Sequence, residues 1–447
     1  MAQTTQNRHI LYIVHGFPPR ENAGTEQHCK DLALYFSQQG YRVSVIAATR
    51  EIGKRQHTVY KETLGKISIW RIVNNIPARP LKQGESSPQI DAIVQKIVQN
   101  IQPDIIHFHH IQFLSSTLRF SQPTIYTLHD AWLFCPSGGT EIEIPRHTIC
   151  SGPQNAKCSR CYTHWKPQPT RFGQKLIDLS EILSPFLSTN RLHQLWQLVP
   201  NTIRTRISQD RSMKNQFDEP IQDVQKRRTC MLEFANSIDV LISPSSYLAK
   251  RITDNHIKSP VVIRHGFVMP PLKHKGGNGF VFLGGFHHHK GIDILYAAYE
   301  HAKSQFPHTT KTFPELHIFG SGSPSKNNIS IKGNGVIPHE HILELLRHSD
   351  ALVMASRWPE NAPMVIGEAR SVGCPIIAPN IGGISEILQD GVDGILYTPN
   401  DIISLSEAFI RIHNGEIFDV RPPPSREEQY QKIEDLYKKQ FLETPKT

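Results

Sequence analysis

The sequence predicts an α/β protein of two doubly wound, Rossmann-like domains. Two observations carry that expectation. Short apolar runs of strand length recur along the chain, each ending in a polar or glycine-bearing loop and followed by a helical pattern, as parallel β-α-β units require. The series also starts twice, at Ile10–Val14 and again, beyond a turn-rich linker, at Phe280–Leu283. A chain of 447 residues has room for two such cores. With 38% hydrophobic and 20% charged residues, it is globular rather than disordered. No apolar run reaches the roughly 18 residues of a membrane-spanning helix. The opening MAQTTQNRHI is polar and lacks the apolar core of a secretory leader, so a cytoplasmic location is expected. The formal net charge of +9 suits anionic substrates or peripheral contact with an anionic membrane at its inner face. No nucleic-acid motif accompanies that charge.

Taken in order, Ile10–Val14 is the first strand and breaks at His15-Gly16-Phe17-Pro18-Pro19. Ala23-Gly24-Thr25 opens a helix, with Thr25 as its expected cap and Leu32, Leu34 and Phe36 on its apolar face. Gly40 stops it, and Arg42–Ala47 is the next strand. Ile67–Ile72 alternates like a strand, Ala92–Ile101 reads as a helix, and Pro103–Phe108 and Pro123–Leu128 are two further strands. The last ends at His129-Asp130. His107, His109 and His110 invite a metal reading, but they lack a carboxylate partner and helical spacing. Ile238–Ser243 and Val261–Arg264 close the first half, and Val268–Gly279 is the linker.

In the second half, Phe280–Gly284 is followed by Phe286-His287-His288-His289-Lys290-Gly291 and a helix from Ile292. Glu315–Phe319 is a strand before Gly320-Ser321-Gly322, and His341–Arg347 is a helix. Ala351–Ala355 ends in a polar loop that holds Glu360. A helix runs from Met364 to Val372 with Pro363 near its first turn, Gly373 stops it, and Pro375–Pro379 is a buried strand. Loops at the carboxyl ends of parallel strands are where open α/β sheets bind ligands, and a helix N-terminus favours phosphate. Asp401 opens another helix, and Arg426–Phe441 is an amphipathic one with Tyr430, Ile433, Leu436 and Tyr437 on one face.

The phrases E-N-A-P-M-V-x-x-E-A, G-C-P-I-I-A and G-G-I-S-E over residues 360–386 resemble the donor-binding signature of retaining glycosyltransferases of the GT-B fold, family 4. The resemblance implies two Rossmann-like domains facing across a cleft: residues 1–268 on the acceptor side, 269–425 binding a nucleotide sugar, and 426–447 a helix crossing back to the first domain. It implies transfer of a sugar from a nucleotide-diphosphate donor to a carbohydrate or lipid-linked acceptor hydroxyl, in polysaccharide, cell-envelope or glycoconjugate synthesis, with no cofactor for catalysis. By the same resemblance His129 and Glu360 line the sugar and are the catalytic candidates. Glu368 holds the ribose, and Asn361, Ala362, Pro363, Met364 and Val365 supply loop contacts to sugar and phosphates. Gly24 lets backbone approach a phosphate, and Lys290 is one cation of a pyrophosphate clamp. The clamp's arginine is missing, because Gly285 stands at its place; a histidine of residues 287–289 or Arg264 is a possible replacement. A sugar-nucleotide epimerase and a non-catalytic scaffold on the same fold are the competing readings.

Cys135, Cys150, Cys158 and Cys161 crowd together, the last two as C-x2-C, a pattern that in a reducing compartment binds zinc more often than it forms disulfides. The surrounding sequence resembles a cysteine-rich insertion of a subset of family 4, here residues 131–165, and the expectation is a structural zinc held by all four thiolates. Four reduced thiols, or a redox pair, are the alternatives. Residues 166–230 read as helical and basic, with Leu176, Ile177, Leu179, Ile182 and Leu183 on one apolar face, Leu192, Leu195, Trp196 and Val199 on another, and Arg204, Arg206, Arg211, Lys214, Lys226, Arg227 and Arg228 nearby. A solvated surface, or one facing a membrane or acceptor, is expected there.

Overall fold

The structure is a computed structural model and describes residues 8–51, 54–75, 86–144, 146–165, 221–306, 312–320 and 335–443. It divides into two compact units: residues 1–242, 252–261 and 435–447, and residues 243–251 with 262–434. This division sets residues 243–251 and 262–268 with the second unit, where the sequence put them in the first, and it divides the last helix at residue 435.

The first unit is built on β1 (His9–Val14), β2 (Arg42–Thr49), β3 (Val59–Leu64), β4 (Ile67–Val73), β5 (Ile105–Phe108), β6 (Thr124–Thr127), β9 (Val240–Ser243) and β10 (Val261–Val262), in the order β10-β9-β6-β5-β1-β2-β4-β3. A small antiparallel pair, β7 (Ile142–Glu143) and β8 (Thr148–Ile149), lies apart from it. Residues 10–14 are all fully buried, the signature of a strand covered on both faces. β3 pairs antiparallel to β4 and was not read from the sequence; its exposure alternates along one edge of the sheet. The helices are α1 (Gly24–Gln38), α2 (Pro88–Ile101), α3 (Asn155–Trp165) and α4 (Ile221–Ser237). Ala23 caps α1 with no side-chain bond, so Thr25 lies inside the helix and not at its cap. α2 starts earlier than its apolar pattern, because Ser87 caps it with its hydroxyl and Pro88 occupies the first turn. Of the basic helical stretch, residues 166–220 lie outside the described residues. Among the rest, Arg227 is buried rather than solvated, and one of its amines donates to the Trp132 carbonyl at 2.6 Å.

After α5 (Ser246–Asp254), the second unit orders β11 (Phe280–Leu283), β12 (Leu316–Phe319), β13 (Ala351–Val353), β14 (Ile376–Pro379) and β15 (Gly394–Tyr397) as β12-β11-β13-β14-β15, with parallel pairing throughout. Alternate strand residues feed two apolar clusters. Phe280, Phe282, Ala351, Val353 and Ile377 pack on one face with α6 (Ile292–Ser304) and α10 (Ile402–His413). Val281, Leu352, Ile376 and Ala378 pack on the other with α7 (Ile342–His348) and α8 (Met364–Ser371). α9 (Ile384–Ile387) is a single turn, and α11 (Arg426–Glu443) ends the described chain. Among the described residues, no helix is long and apolar enough to cross a membrane.

Each large sheet reverses its strand order once, at β1/β5 in the first unit and at β11/β13 in the second. Those reversals are where the carboxyl ends of parallel strands splay and leave a ligand crevice.

Candidate active site

In the second unit, the segments leaving β11 and β13 meet over the reversal. β11 runs into the turn His288–Lys290, and Gly291 follows with φ +67°. A Cβ there would stand 1.9 Å from the Ala355 carbonyl oxygen, so only glycine lets this turn lie against the loop after β13. The contact aims Lys290 at Glu360, with Nζ 2.8 Å from Oε1. Ser356 donates its hydroxyl to the same oxygen. Glu360 is only 5% exposed. Burial alone would raise its pKa, but the Lys290 charge and hydrogen bonds from Lys290, Ser356 and Trp358 outweigh that and hold it below the usual carboxylate range. The charge is therefore kept and compensated.

The loop continues through Asn361, whose side-chain oxygen accepts the Ser245 hydroxyl, to Ala362 and Pro363, the cap of α8. Gly382 and Gly383 receive this loop: a Cβ on either would meet the carbonyl oxygen of Glu360 or Asn361 at 2.5 or 1.8 Å. Met364 and Val365 are the first two helical residues, where backbone N–H groups have no partner within the helix. Glu368 sits on the second turn, 8% exposed, with Oε1 2.9 Å from His339 Nε2. Lys290, Glu360, Glu368 and the loop between them thus share the carboxyl edge of one sheet.

Of the residues considered for the missing arginine's place, His289 is half-buried and Arg264 is held by Glu386. Burial first, then the neighbouring Lys290, lowers the His289 pKa to about 4 and keeps the ring neutral at pH 7. Arg264 donates to the Glu386 carbonyl at 2.9 Å and pairs with its carboxylate at 3.7 Å. It lines a cavity of about 530 Å³ together with Phe267, Arg370 and the loop residues Ala362 and Pro363.

In the first unit, His129 follows β6, and its Nε2 is 3.2 Å from His109 Nδ1. His107 is structural: it is fully buried between the Tyr437 hydroxyl at 2.6 Å and Thr127 Oγ1 at 2.8 Å, and burial lowers its pKa to about 3. Asp130 accepts the Trp132 amide at 2.8 Å, and burial raises its pKa. Gly24 opens α1. The loop before it is fastened by Arg71, which is fully buried and bonds Glu62 at 2.6 Å, Glu21 at 3.1 Å and the carbonyls of Phe17 and Pro18 at 3.0 and 3.2 Å. His15 and Glu26 pair at 3.1 Å in the same region. Sequence reading missed Arg71, His15, Glu26 and His28. The one signal for Arg71 was a charged residue inside an otherwise buried strand pattern.

The four cysteines gather around the β7–β8 pair and α3, and all are free thiols. Cys161 Sγ accepts from the Ile144 amide at 3.3 Å and the Ser137 hydroxyl at 3.2 Å. Burial raises the thiol pKa of Cys135 to about 12 and also raises that of Cys158, with neighbouring cysteines adding to both shifts. Cys158 packs with Tyr162 and Val224.

Residues 277–414 match the family described as glycosyl transferases group 1, and residues 23–167 match glycosyltransferase family 4. The chain belongs to these glycosyltransferases. The matches contain the Lys290–Glu360–Glu368 corner and the His129 corner respectively. An uncharacterised glycosyltransferase of Methanocaldococcus jannaschii is 30% identical over 182 residues, 40% of this chain and 50% of that protein. An Escherichia coli UDP-Gal:alpha-D-GlcNAc-diphosphoundecaprenol alpha-1,3-galactosyltransferase is 32% identical over 105 residues, 22% of this chain and 27% of that protein. The chain thus spans half or less of the length of these relatives. Sucrose-phosphate synthase of Thermosynechococcus elongatus superposes over 98% of this chain and 100% of its own with a TM-score of 0.59 at 14% identity. Anabaena HepE, solved with UDP and glucose, superposes over 97% and 100% with a TM-score of 0.55 at 15% identity. These likenesses show the GT-B fold.

Proposed function

We propose that the protein transfers a sugar from a nucleotide-diphosphate donor to an acceptor hydroxyl, with retention of anomeric configuration, in the assembly of a polysaccharide, envelope polymer or glycoconjugate. The observation that carries this reading is the buried Glu360 carboxylate compensated by the half-buried Lys290 at the strand-order reversal of the second unit. An ammonium has three donors, and the contact with Glu360 uses one. In this reading the rest of that capacity, with the first amides of α8, meets the diphosphate and neutralises the charge that grows on it as the glycosidic bond breaks. Glu360 and His129 lie against the sugar. Glu368 accepts from the ribose hydroxyls in place of its contact with His339. The activity of the E. coli relative and the UDP in HepE support a nucleotide-sugar donor and make UDP the first nucleotide to try. A carbohydrate or lipid-linked acceptor, and peripheral contact with an anionic membrane, belong to the same proposal. Replacing Glu360 by Gln, or His129 by Ala, should abolish transfer while nucleotide affinity holds; unchanged turnover in either variant refutes the assignment.

We propose further that Cys135, Cys150, Cys158 and Cys161 hold a structural zinc. The donor chemistry fits, and Cys161 accepts an N–H and an O–H while its sulfur also reaches the Ile142 carbonyl at 3.3 Å. Bound zinc would fix the β7–β8 pair to α3 and take no part in transfer. Metal analysis of the purified protein that finds no stoichiometric zinc removes this reading.

A further inference from the structure

A second set of metal-ligating side chains lies in the first unit, away from the cysteines. His28 on α1, His109 just past β5 and His129 just past β6 each bring one ring nitrogen within 4.8 Å of the other two. The His109 and His129 nitrogens are 3.2 Å apart. The three rings lie against one another, with centroids 5.3 to 5.5 Å apart. Nitrogens bound to one tetrahedral ion at about 2.0–2.1 Å stand about 3.3–3.4 Å from each other. One edge of such a tetrahedron is thus nearly formed, and ring rotation at the third histidine closes the rest.

We propose that His28, His109 and His129 bind a divalent transition-metal ion of the zinc type, with the fourth position open to water. Imidazole nitrogens suit this class, and a set without carboxylate oxygens does not suit magnesium or calcium. The neighbouring carboxylates are engaged elsewhere: Glu26 with His15 and Asp130 with the Trp132 amide. His28 and His109 are buried, while the half-buried His129 leaves a way in. The three residues leave three separate elements, so the packed sheet and helix hold them in place with no ion present. One consequence rests on the function proposed above: if His129 lies against the donor sugar, a bound ion takes it out of use, and zinc inhibits transfer.

The test loads the full-length protein with Co²⁺ as a spectroscopic stand-in. The cysteine set, if it takes cobalt, announces itself by thiolate-to-cobalt charge-transfer absorption, and the histidine set gives tetrahedral ligand-field bands without it. Cobalt-edge X-ray absorption on the wild-type protein should show an imidazole shell. His28→Gln should weaken the nitrogen-bound component roughly tenfold or more, at least what loss of an outer-shell partner costs a metal site, and leave any thiolate bands unchanged. A wild-type spectrum with sulfur or oxygen neighbours alone overturns the site, and needs no variant to fold. Nitrogen-bound cobalt that is equally tight in His28→Gln overturns it too. The spectra decide the site apart from activity: a bound ion that leaves transfer untouched contradicts the role of His129, not the metal site.

Discussion

The two strand-end corners of this molecule handle polarity in opposite ways. In the second unit a carboxylate is buried charged, because Lys290 and Ser356 stand at its oxygen. In the first unit a polar ring is buried and kept neutral, His107 between two hydroxyls, and beside it His109 lies against His129. In the function proposed here the compensated charge pair meets a charged ligand part, and in the further proposal the imidazole cluster takes a metal. The same βαβ scaffold supplies both, and the residues past each strand end decide which.

That contrast can be broken or sharpened by substitution. The largest effect expected is on chemistry: Glu360→Gln should lower the turnover of sugar transfer roughly 100-fold or more, the scale of losing one preorganised electrostatic group. Measured beside it, His107→Gln should change turnover far less, since that ring serves packing. Next comes Arg71→Met, which takes one cationic partner each from Glu21 and Glu62 and unfastens the loop after β1; denaturant melts should show a loss of about 3 kcal/mol, the low end for breaking a buried pair whose partners are partly exposed. Gly367→Ala should cost about 1–3 kcal/mol, because its Cβ would meet the Phe267 ring at 2.0 to 2.6 Å with α8 fixed behind it.

The smallest effect separates the corners by pH. The folded pKa of His107, about 3 against an ordinary 6.5, makes its contribution to stability complete above pH 6.5 and progressively lost as pH falls below that. Glu360, depressed below 4.5, contributes fully above 4.5 and loses its contribution only as pH falls through the lowered value. Unfolding midpoints between pH 6.5 and 4.5 should therefore fall less steeply in His107→Gln than in wild type, and with unchanged slope in Glu360→Gln.

The second corner was legible in the sequence because its parts lie close along the chain. Glu360, the α8 start, Glu368 and Gly382-Gly383 fall within one strand–loop–helix–strand stretch, and local pattern sets their relation. Lys290 is remote, but it sits at the end of the first strand of its unit, a place the βαβ order defines. The histidine corner was legible at His129 and, as a weaker metal candidate, at His109, but not at His28. His28 lies on a helix face that reads as ordinary amphipathic surface, and only the pairing of β1 with β5 and of β5 with β6 brings the elements together. Arg71 was hidden for a similar reason: its partners Glu21 and Glu62 come from a loop and from β3, and β3 is an edge strand with no long apolar pattern. The interrupted clamp was visible as a missing arginine, but burial around His289 and the engagement of Arg264 with Glu386 are three-dimensional facts.

The central claim is that the second unit grips a nucleoside diphosphate through Lys290 and Glu368 while Glu360 serves the sugar. Isothermal titration of UDP into the wild type and into Lys290→Ala, Glu368→Ala and Glu360→Gln tests it most directly. The first two variants should bind roughly tenfold or more weakly, the worth of one hydrogen bond to a charged group, and Glu360→Gln should bind about as the wild type does. UDP binding that is unchanged in both Lys290→Ala and Glu368→Ala would contradict the account.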